Sequence, residues 1–167
     1  MVSGIAFGSA TAQLNILKKT YDKQIESYAK RADIKKDIEY FSKNIAKVET
    51  VDDLLKDYKL YTFTMKAFGL EDETFARAKI KKVLKEGVAD PKSFANRLVD
   101  QRYRDMAKVM AFDTKGKATF EKTQTFVNDV AARFVKLEFE RSQDDTNPAL
   151  RLALYFERKA SSINSWY

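Results

Sequence analysis

The 167-residue sequence contains no cysteine and no histidine. Without cysteine, the chain can form no disulfide, no thiolate nucleophile and no cysteine-based metal site. Without histidine, it lacks the commonest general base and the commonest zinc ligand. An enzyme would have to use carboxylates, lysine or tyrosine, and the sequence shows no catalytic motif of that kind. We therefore expect no enzyme activity, no catalytic residues, no metal and no cofactor, with a carboxylate enzyme kept as a remote alternative.

Glycine and proline are scarce, with 5 and 2 residues respectively. An all-β protein of this length would need many more of both for its turns. Apolar residues make up 44% of the chain, which is enough for one hydrophobic core. We therefore predict an all-α fold, an irregular bundle of about six to seven helices around one long central helix, with negligible strand content.

Long apolar runs are also missing, since no stretch approaches the ~18 apolar residues of a membrane-spanning helix. The opening segment Met1–Leu14 has no basic region ahead of an apolar run, so we expect no cleavable signal peptide. We predict a flexible N-terminal segment over residues 1–10 and a single helical domain over residues 11–167.

Apolar residues recur at spacings of three and four, which places the helices. The first is predicted from Thr11 to about Ala32, and Asp33 is predicted to cap the second. Thr50 is predicted to cap a third helix, which Gly69 ends. Further helices are predicted to start near Asp72, at Asp90 with Pro91 in the first position, near Ala118 and at Asn147, with breaks at Gly87 and at Asp113–Gly116.

The longest predicted helix, from about Ala118 to Ser142, is apolar over much of its circumference. This is typical of a helix that is covered from several sides. We predict that its core face packs against apolar residues of the earlier helices. The predicted core residues are Phe120, Val127, Val130, Phe134 and Leu137, beside Phe41, Leu54, Tyr58 and Leu98.

Two pairs of segments resemble each other within the chain. Val48–Phe68 and Val88–Phe112 each contain a capping turn, an apolar helix and a closing Met-Lys-Ala-Phe or Met-Ala-Phe. Tyr40-Phe41 recurs as Tyr155-Phe156 with the following apolar residues at a constant offset. The alternative is that any two amphipathic helices look alike. The second pair and the aromatic end at Trp166 lead us to expect that the chain stops where a further helical unit would begin.

The net charge is +7, from 31 Lys and Arg against 24 Asp and Glu. A dense basic run would suit the phosphates of a nucleic acid, but such runs are commonly the solvated face of a helix. No stacking aromatic residues or glycine-rich loop accompany this one, so we expect nucleic acid not to be the partner. The run consists of Arg77, Lys79, Lys81, Lys82 and Lys85.

Polar residues gather on one predicted helix and form the candidate interaction cluster. Arg and Tyr are enriched at binding surfaces, although an Arg–carboxylate bond that anchors the helix is the structural alternative. Asp100 and Arg104 have the i,i+4 spacing of a helix ion pair. The cluster is Asn96, Arg97, Asp100, Arg102 and Tyr103.

Three aspartates lie near Thr50, namely Asp52, Asp53 and Asp57. They lack the spacing of a calcium loop, so we expect them to cap helices.

The stretch from Tyr40 to Phe112 carries Tyr40-Phe41, Asn44-Ile45, Val51 to Tyr58, Ala67 to Asp72, Lys82 to Leu84, Ser93 to Leu98, and then Asp100, Arg102 and Tyr103. In these residues it resembles an uncharacterised bacterial family, the domain of unknown function numbered 1217. The resemblance implies a helical protein, often with the unit repeated, which tends to be encoded among flagellar genes. It implies no catalytic residues.

From this resemblance we expect a non-enzymatic structural or assembly protein that is associated with the bacterial flagellum. It would lie in the bacterial cytoplasm or at the flagellum and act through contacts with other proteins, flagellar components or a second copy of itself. A basic helical nucleic-acid-binding module is the alternative.

Overall fold

The computed structural model describes residues 10–143 and 151–156. This part of the chain is all-α, with two isolated β-bridges and no strand, which confirms the predicted fold class. Three predicted features lie outside the described residues: the flexible segment 1–10 apart from Ala10, the cap at Asn147 and the end at Trp166. The helices are α1 (Ala10–Ala29), α2 (Ala32–Ile45), α3 (Val51–Lys56), α4 (Tyr58–Ala67), α5 (Arg77–Glu86), α6 (Phe94–Arg97), α7 (Gln101–Val109) and α8 (Gln124–Ser142), with a 3-10 turn at Glu71–Glu73 and a helical segment at residues 151–156.

The predicted third helix is two helices, because the chain breaks at Asp57. Thr50 caps α3 as predicted, in a capping box with Asp53. Asp57 is extended, with φ −79° and ψ 100°, and its carboxylate caps α4 by accepting the N–H of Leu60 at 3.0 Å. Gly69, at φ 69°, ends α4 as predicted, in a conformation that favours glycine.

The helix predicted to start at Asp90 is divided in the same way. Asp90 is not its N-cap, because its carboxylate accepts the N–H of Lys92 within a turn, at 2.8 Å, and α6 begins only after Ser93. Asp100 then caps α7 from an extended conformation, with φ −76° and ψ 110°. The two similar segments therefore share a short helix, a break capped by an aspartate (Asp57 or Asp100) and a longer helix.

Other helix boundaries also differ from the predictions. α1 ends at Ala29, so Asp33 lies in the first turn of α2 and pairs with Arg31 at 2.8 Å. The predicted helix near Asp72 is a 3-10 turn, and α5 follows it.

α8 begins at Gln124 and not near Ala118. Lys117 and Ala118 form antiparallel bridges with Thr50 and Phe112, and this pairing is incompatible with a helix. α8 has 19 residues and α1 has 20, so the predicted central helix is not the longest.

α8 packs on α4, α2 and α1, as expected of a central helix. One ring from each of α2, α4 and α8 forms an aromatic column, in which Phe63 stacks on Phe41 at 4.5 Å and on Phe134 at 4.1 Å between centroids. Tyr58 is 68% exposed, so its prediction as a core residue is wrong: the break at Asp57 keeps it from continuing the face of α3. Among the other predicted core residues, Leu98 and Leu137 are half-buried, and Phe41, Leu54, Phe120, Val127, Val130 and Phe134 are buried.

α5 and α7 pack side by side and run in the same direction. Near their starts, Lys79 Nζ lies 2.6 Å from the hydroxyl of Tyr103. Near their ends, a Cβ on Gly87 would lie 3.9 Å from the carbonyl oxygen of Phe112. The loops that precede the two helices therefore lie at the same end of the pair.

Candidate interaction site

The structure does not bring the five residues of the predicted polar cluster together. The side-chain amide of Asn96 donates to the carbonyls of Val88 and Asp90, at 3.0 and 2.8 Å, and so fastens the loop before α6. Arg97 is exposed at the last position of α6. Neither residue faces the others.

Asp100 and Arg102 connect α7 to the end of α4. The guanidinium of Arg102 lies 2.7 Å from the Asp100 carboxylate and also donates to the carbonyl of Gly69. Asp100 thus pairs with Arg102, and no ion pair between Asp100 and the predicted Arg104 is found in the described part of the chain. The hydrogen bond to Asp100 raises the pKa of Arg102. This geometry matches the anchoring alternative.

Tyr103 points into the contact between α5 and α7, where it is 3% exposed. Its hydroxyl accepts a hydrogen bond from Lys79, which also pairs with Glu73 at 3.3 Å. Burial raises the pKa of Tyr103, and the hydrogen bond to Tyr103 raises the pKa of Lys79. Tyr103 therefore contributes to packing.

The basic run on α5 is engaged within the protein. The fifth cation, Lys85, lays its aliphatic stem against Gly116, where a Cβ would lie 3.4 Å away. Intramolecular partners of this kind favour a helix face over a phosphate-binding surface. The other pairs are Arg77 with the Leu55 carbonyl at 2.7 Å, Lys79 with Glu73 at 3.3 Å, Lys81 with Asp52 at 2.6 Å and Lys82 with Glu86 at 3.8 Å.

Two of the three aspartates cap helices, and Asp52 pairs with Lys81. The hydroxyl of Thr50 is the main cause of a lowered pKa at Asp53. Asp57 also accepts the hydroxyl of Tyr40 at 2.9 Å, and this bond raises the pKa of Tyr40. In the described residues, no group of three or more potential ligands could hold a metal ion.

A cleft of about 400 Å³ lies between α7 and α8. The end of α4 and the 3-10 turn close one side, and the helical segment 151–156 contributes to another. Arg102 is the one member of the predicted cluster that lines it. The lining residues are Ala67, Phe68, Gly69, Glu71, Asp72, Arg102, Asp105, Arg133, Lys136, Leu137, Glu140, Arg141, Arg151 and Tyr155.

Most charges of the cleft are already engaged in the protein. Arg141 lies 2.5 Å from Glu71 and 3.7 Å from Asp72. Glu140 is buried, with 6% exposed, and accepts the hydroxyl of Tyr21 at 3.4 Å. Lys136 differs, because it is exposed and has no acidic group within 4.0 Å in the described part of the chain.

The cations that α8 contributes to this cleft were not predicted from the sequence. Arg133 and Lys136 are three residues apart, and Arg141 follows five residues later. Positions three or four apart share one face of a helix, so this spacing was a usable signal. The apolar residues of α8 predicted its buried faces and gave no indication of this charged one.

Two apolar side chains are exposed at one end of the α5–α7 pair. Phe75, in the loop before α5, is 81% exposed, and Val99, in the loop before α7, is 98% exposed. Since the two helices start at the same end of the pair, both loops lie at this end, which we call the apolar region. Phenylalanine is among the residues that are enriched at protein interfaces.

Fold and surface together define an all-α protein with an apolar region and a charged cleft on its surface. Residues 67–167, which are 101 of the 167 residues, match the family described as "Protein of unknown function (DUF1217)". The chain belongs to this family. The family resemblance is thus confirmed; its motifs lie in residues 40–112, and the family match covers residues 67–167, so the two stretches share residues 67–112.

The chain is also similar to a protein of Agrobacterium tumefaciens whose crystal structure was a structural genomics target. The two are 36% identical, with a TM-score of 0.80, and the similarity covers 91% of this chain but 66% of the other protein. No curated protein matches the chain. Among the helices that the structure describes, none is both long enough and apolar enough to cross a membrane.

Proposed function

We propose that this chain is a non-enzymatic structural or assembly protein that acts through protein contacts and is associated with the bacterial flagellum. The observation that carries the contact surface is the exposure of Phe75 and Val99 at one end of the α5–α7 pair. Burying a side chain of either type contributes roughly 1.5–3 kcal/mol. The flagellar part of the proposal rests on the resemblance to a family whose members tend to be encoded among flagellar genes.

A nucleic-acid-binding module is less well supported. Lys79, Lys81 and Lys82 of the basic run pair with acidic groups of the fold, which partly neutralise their charge. Micromolar binding to duplex DNA that weakened steeply with salt, and was lost when Lys81 and Lys82 were changed to Glu, would favour this alternative.

The proposal is tested by deleting the gene in a motile bacterium that carries it and scoring swimming. We expect impaired swimming, which the unchanged gene restores. The double variant Phe75→Asp with Val99→Asp should fail to restore it, because charges on this region oppose its burial in an interface. Tyr58→Asp is the matched control, since Tyr58 is also exposed but lies on α4.

The result separates the two parts of the proposal. Normal swimming with intact filaments in the deletion strain would contradict the flagellar association. Full restoration by the double variant would contradict the role of Phe75 and Val99. Circular dichroism should show the double variant folded, because both side chains are exposed in the structure.

A further inference from the structure

We propose that the cleft between α7 and α8 binds an acidic segment of a partner protein. Carboxylates of the segment would pair with Arg133 and Lys136, and an apolar side chain would lie on Leu137. The inference rests on the proposed function in one respect, namely that the occupant is a protein.

The cleft combines charged walls with a small apolar part. Its volume of about 400 Å³ can take one or two large side chains of a bound segment. Leu137, which is half-buried, supplies apolar surface between the charged walls, whereas Phe68 is 5% exposed and lies under Arg133. Gly69 leaves space in the cleft, because a Cβ there would lie 3.7 Å from both Leu137 and Arg102. An apolar anchor with a charged rim is the usual composition of a protein interface.

Two arginines hold the walls in place before any ligand arrives. Arg102 joins the start of α7 to the carbonyl of Gly69, and Arg141 joins the end of α8 to Glu71 at 2.5 Å. These cations are engaged, and they fix the position of the α7 and α8 walls relative to the end of α4. A cleft that is already formed loses less free energy on binding than one that must be ordered.

The cations that remain for a ligand lie on α8. Lys136 has no acidic group within 4.0 Å in the described residues, and Arg133 has only Asp129, at 3.7 Å in an exposed pair. Exposed pairs of this kind are weak and are readily exchanged. The guanidinium of Arg133 lies over the ring of Phe68, 5.5 Å from its centroid, and this contact positions it in the cleft.

The charge balance favours an acidic ligand over a basic one. Of the acids in the lining, Glu71 and Asp72 both lie near Arg141, and Glu140 is buried. Asp105 on the α7 wall and Asp72, whose side chain is 96% exposed, are the exposed acids of the lining, so the carboxylates of a bound segment would face α8. The net charge of +7 adds a long-range attraction for acidic partners.

The test is a calorimetric titration of the full chain with a capped peptide, acetyl-Glu-Leu-Glu-Phe-Glu-Glu-amide. We expect saturable binding that weakens with salt, and no binding of the same peptide with Gln or Lys in place of Glu. Arg133→Glu and Lys136→Glu should each weaken binding at least about tenfold, because they reverse a contacting charge. In amide NMR spectra, the acidic peptide should shift Gly69 and Leu137.

Lys108→Glu is the matched control, because Lys108 is an exposed lysine of α7 outside the lining and its change alters the net charge equally. The proposal would be overturned if no saturable binding were seen, or if the Lys peptide bound as well as the acidic one. It would also be overturned if Lys108→Glu weakened binding as much as the cleft variants, or if the NMR shifts were confined to other surfaces. If the peptide does not bind the cleft, the proposal of a flagellar association is unaffected. If a deletion strain swims normally, the proposal that the cleft binds an acidic segment is unaffected.

Discussion

Phe134 offers the sharpest test of the packing that we describe. The side chain is 1% exposed, and its ring stacks on Phe63 with an angle of 22° between the planes. Phe134→Ala removes the ring from the end of the aromatic column and leaves a cavity between α4 and α8. Such a substitution costs ~3–5 kcal/mol, including roughly 0.5–1.5 kcal/mol from the ring pair.

Thermal unfolding and urea unfolding, both followed by circular dichroism, measure this loss. In a domain of this size each kcal/mol lowers Tm by about 2–4 °C, so we expect a fall of roughly 6–20 °C. The slope of unfolding free energy against urea should stay unchanged, because the substitution leaves the surface exposed on unfolding nearly the same. Tyr58→Ala is the control: Tyr58 is 68% exposed, and its loss should cost less than about 0.5 kcal/mol.

Two outcomes would refute this reasoning. A Phe134→Ala variant as stable as the unchanged protein would mean that α8 packs by another face. A Tyr58→Ala variant that lost as much free energy as Phe134→Ala would mean that α3 and α4 form one continuous helix and that Tyr58 faces the core.

Two further predictions concern acid stability and local opening. The lowered pKa of Asp53 means that its carboxylate stabilises the fold above the ordinary pKa of 3.8, and that this contribution is lost as pH falls through the folded-state value. Asp53→Asn should therefore flatten the dependence of unfolding free energy on pH below about pH 5, and an equally steep profile would contradict this. α1 has no buried side chain among those described and rests on α8 through Tyr21 and Tyr28, whose rings contact Phe139. Its amides should exchange hydrogen faster than those of α4, and equal protection would show that the two helices open together.

Local signals predicted several helix ends correctly. Thr50 caps its helix through groups three residues away, and Gly69 and Gly87 have φ of 69° and 60°, so short sequence patterns were sufficient. The breaks at Asp57 and Asp100 were not predictable in this way. Asp57 is also held by Tyr40 from α2, and Asp100 is connected through Arg102 to the end of α4, so each break depends on contacts distant in sequence.

The cleft was beyond sequence reasoning for the same reason. Its walls come from α4, the 3-10 turn, α7, α8 and residues 151–156, and no short motif contains them. The predicted polar cluster contributed Arg102 but sends Tyr103 into the α5–α7 contact. Consecutive positions of one helix point in different directions, so closeness in sequence did not produce a common site.

The aromatic column has a mechanical consequence for the whole bundle. Phe63 lies between two rings, so α4 cannot shift across its own axis without displacing a neighbour on α2 or on α8. The positions of the three helices are therefore coupled through the column. A substitution of Phe41 therefore affects the packing of Phe134 through the ring of Phe63. The losses of unfolding free energy from substituting Phe41 and Phe134 should not simply add.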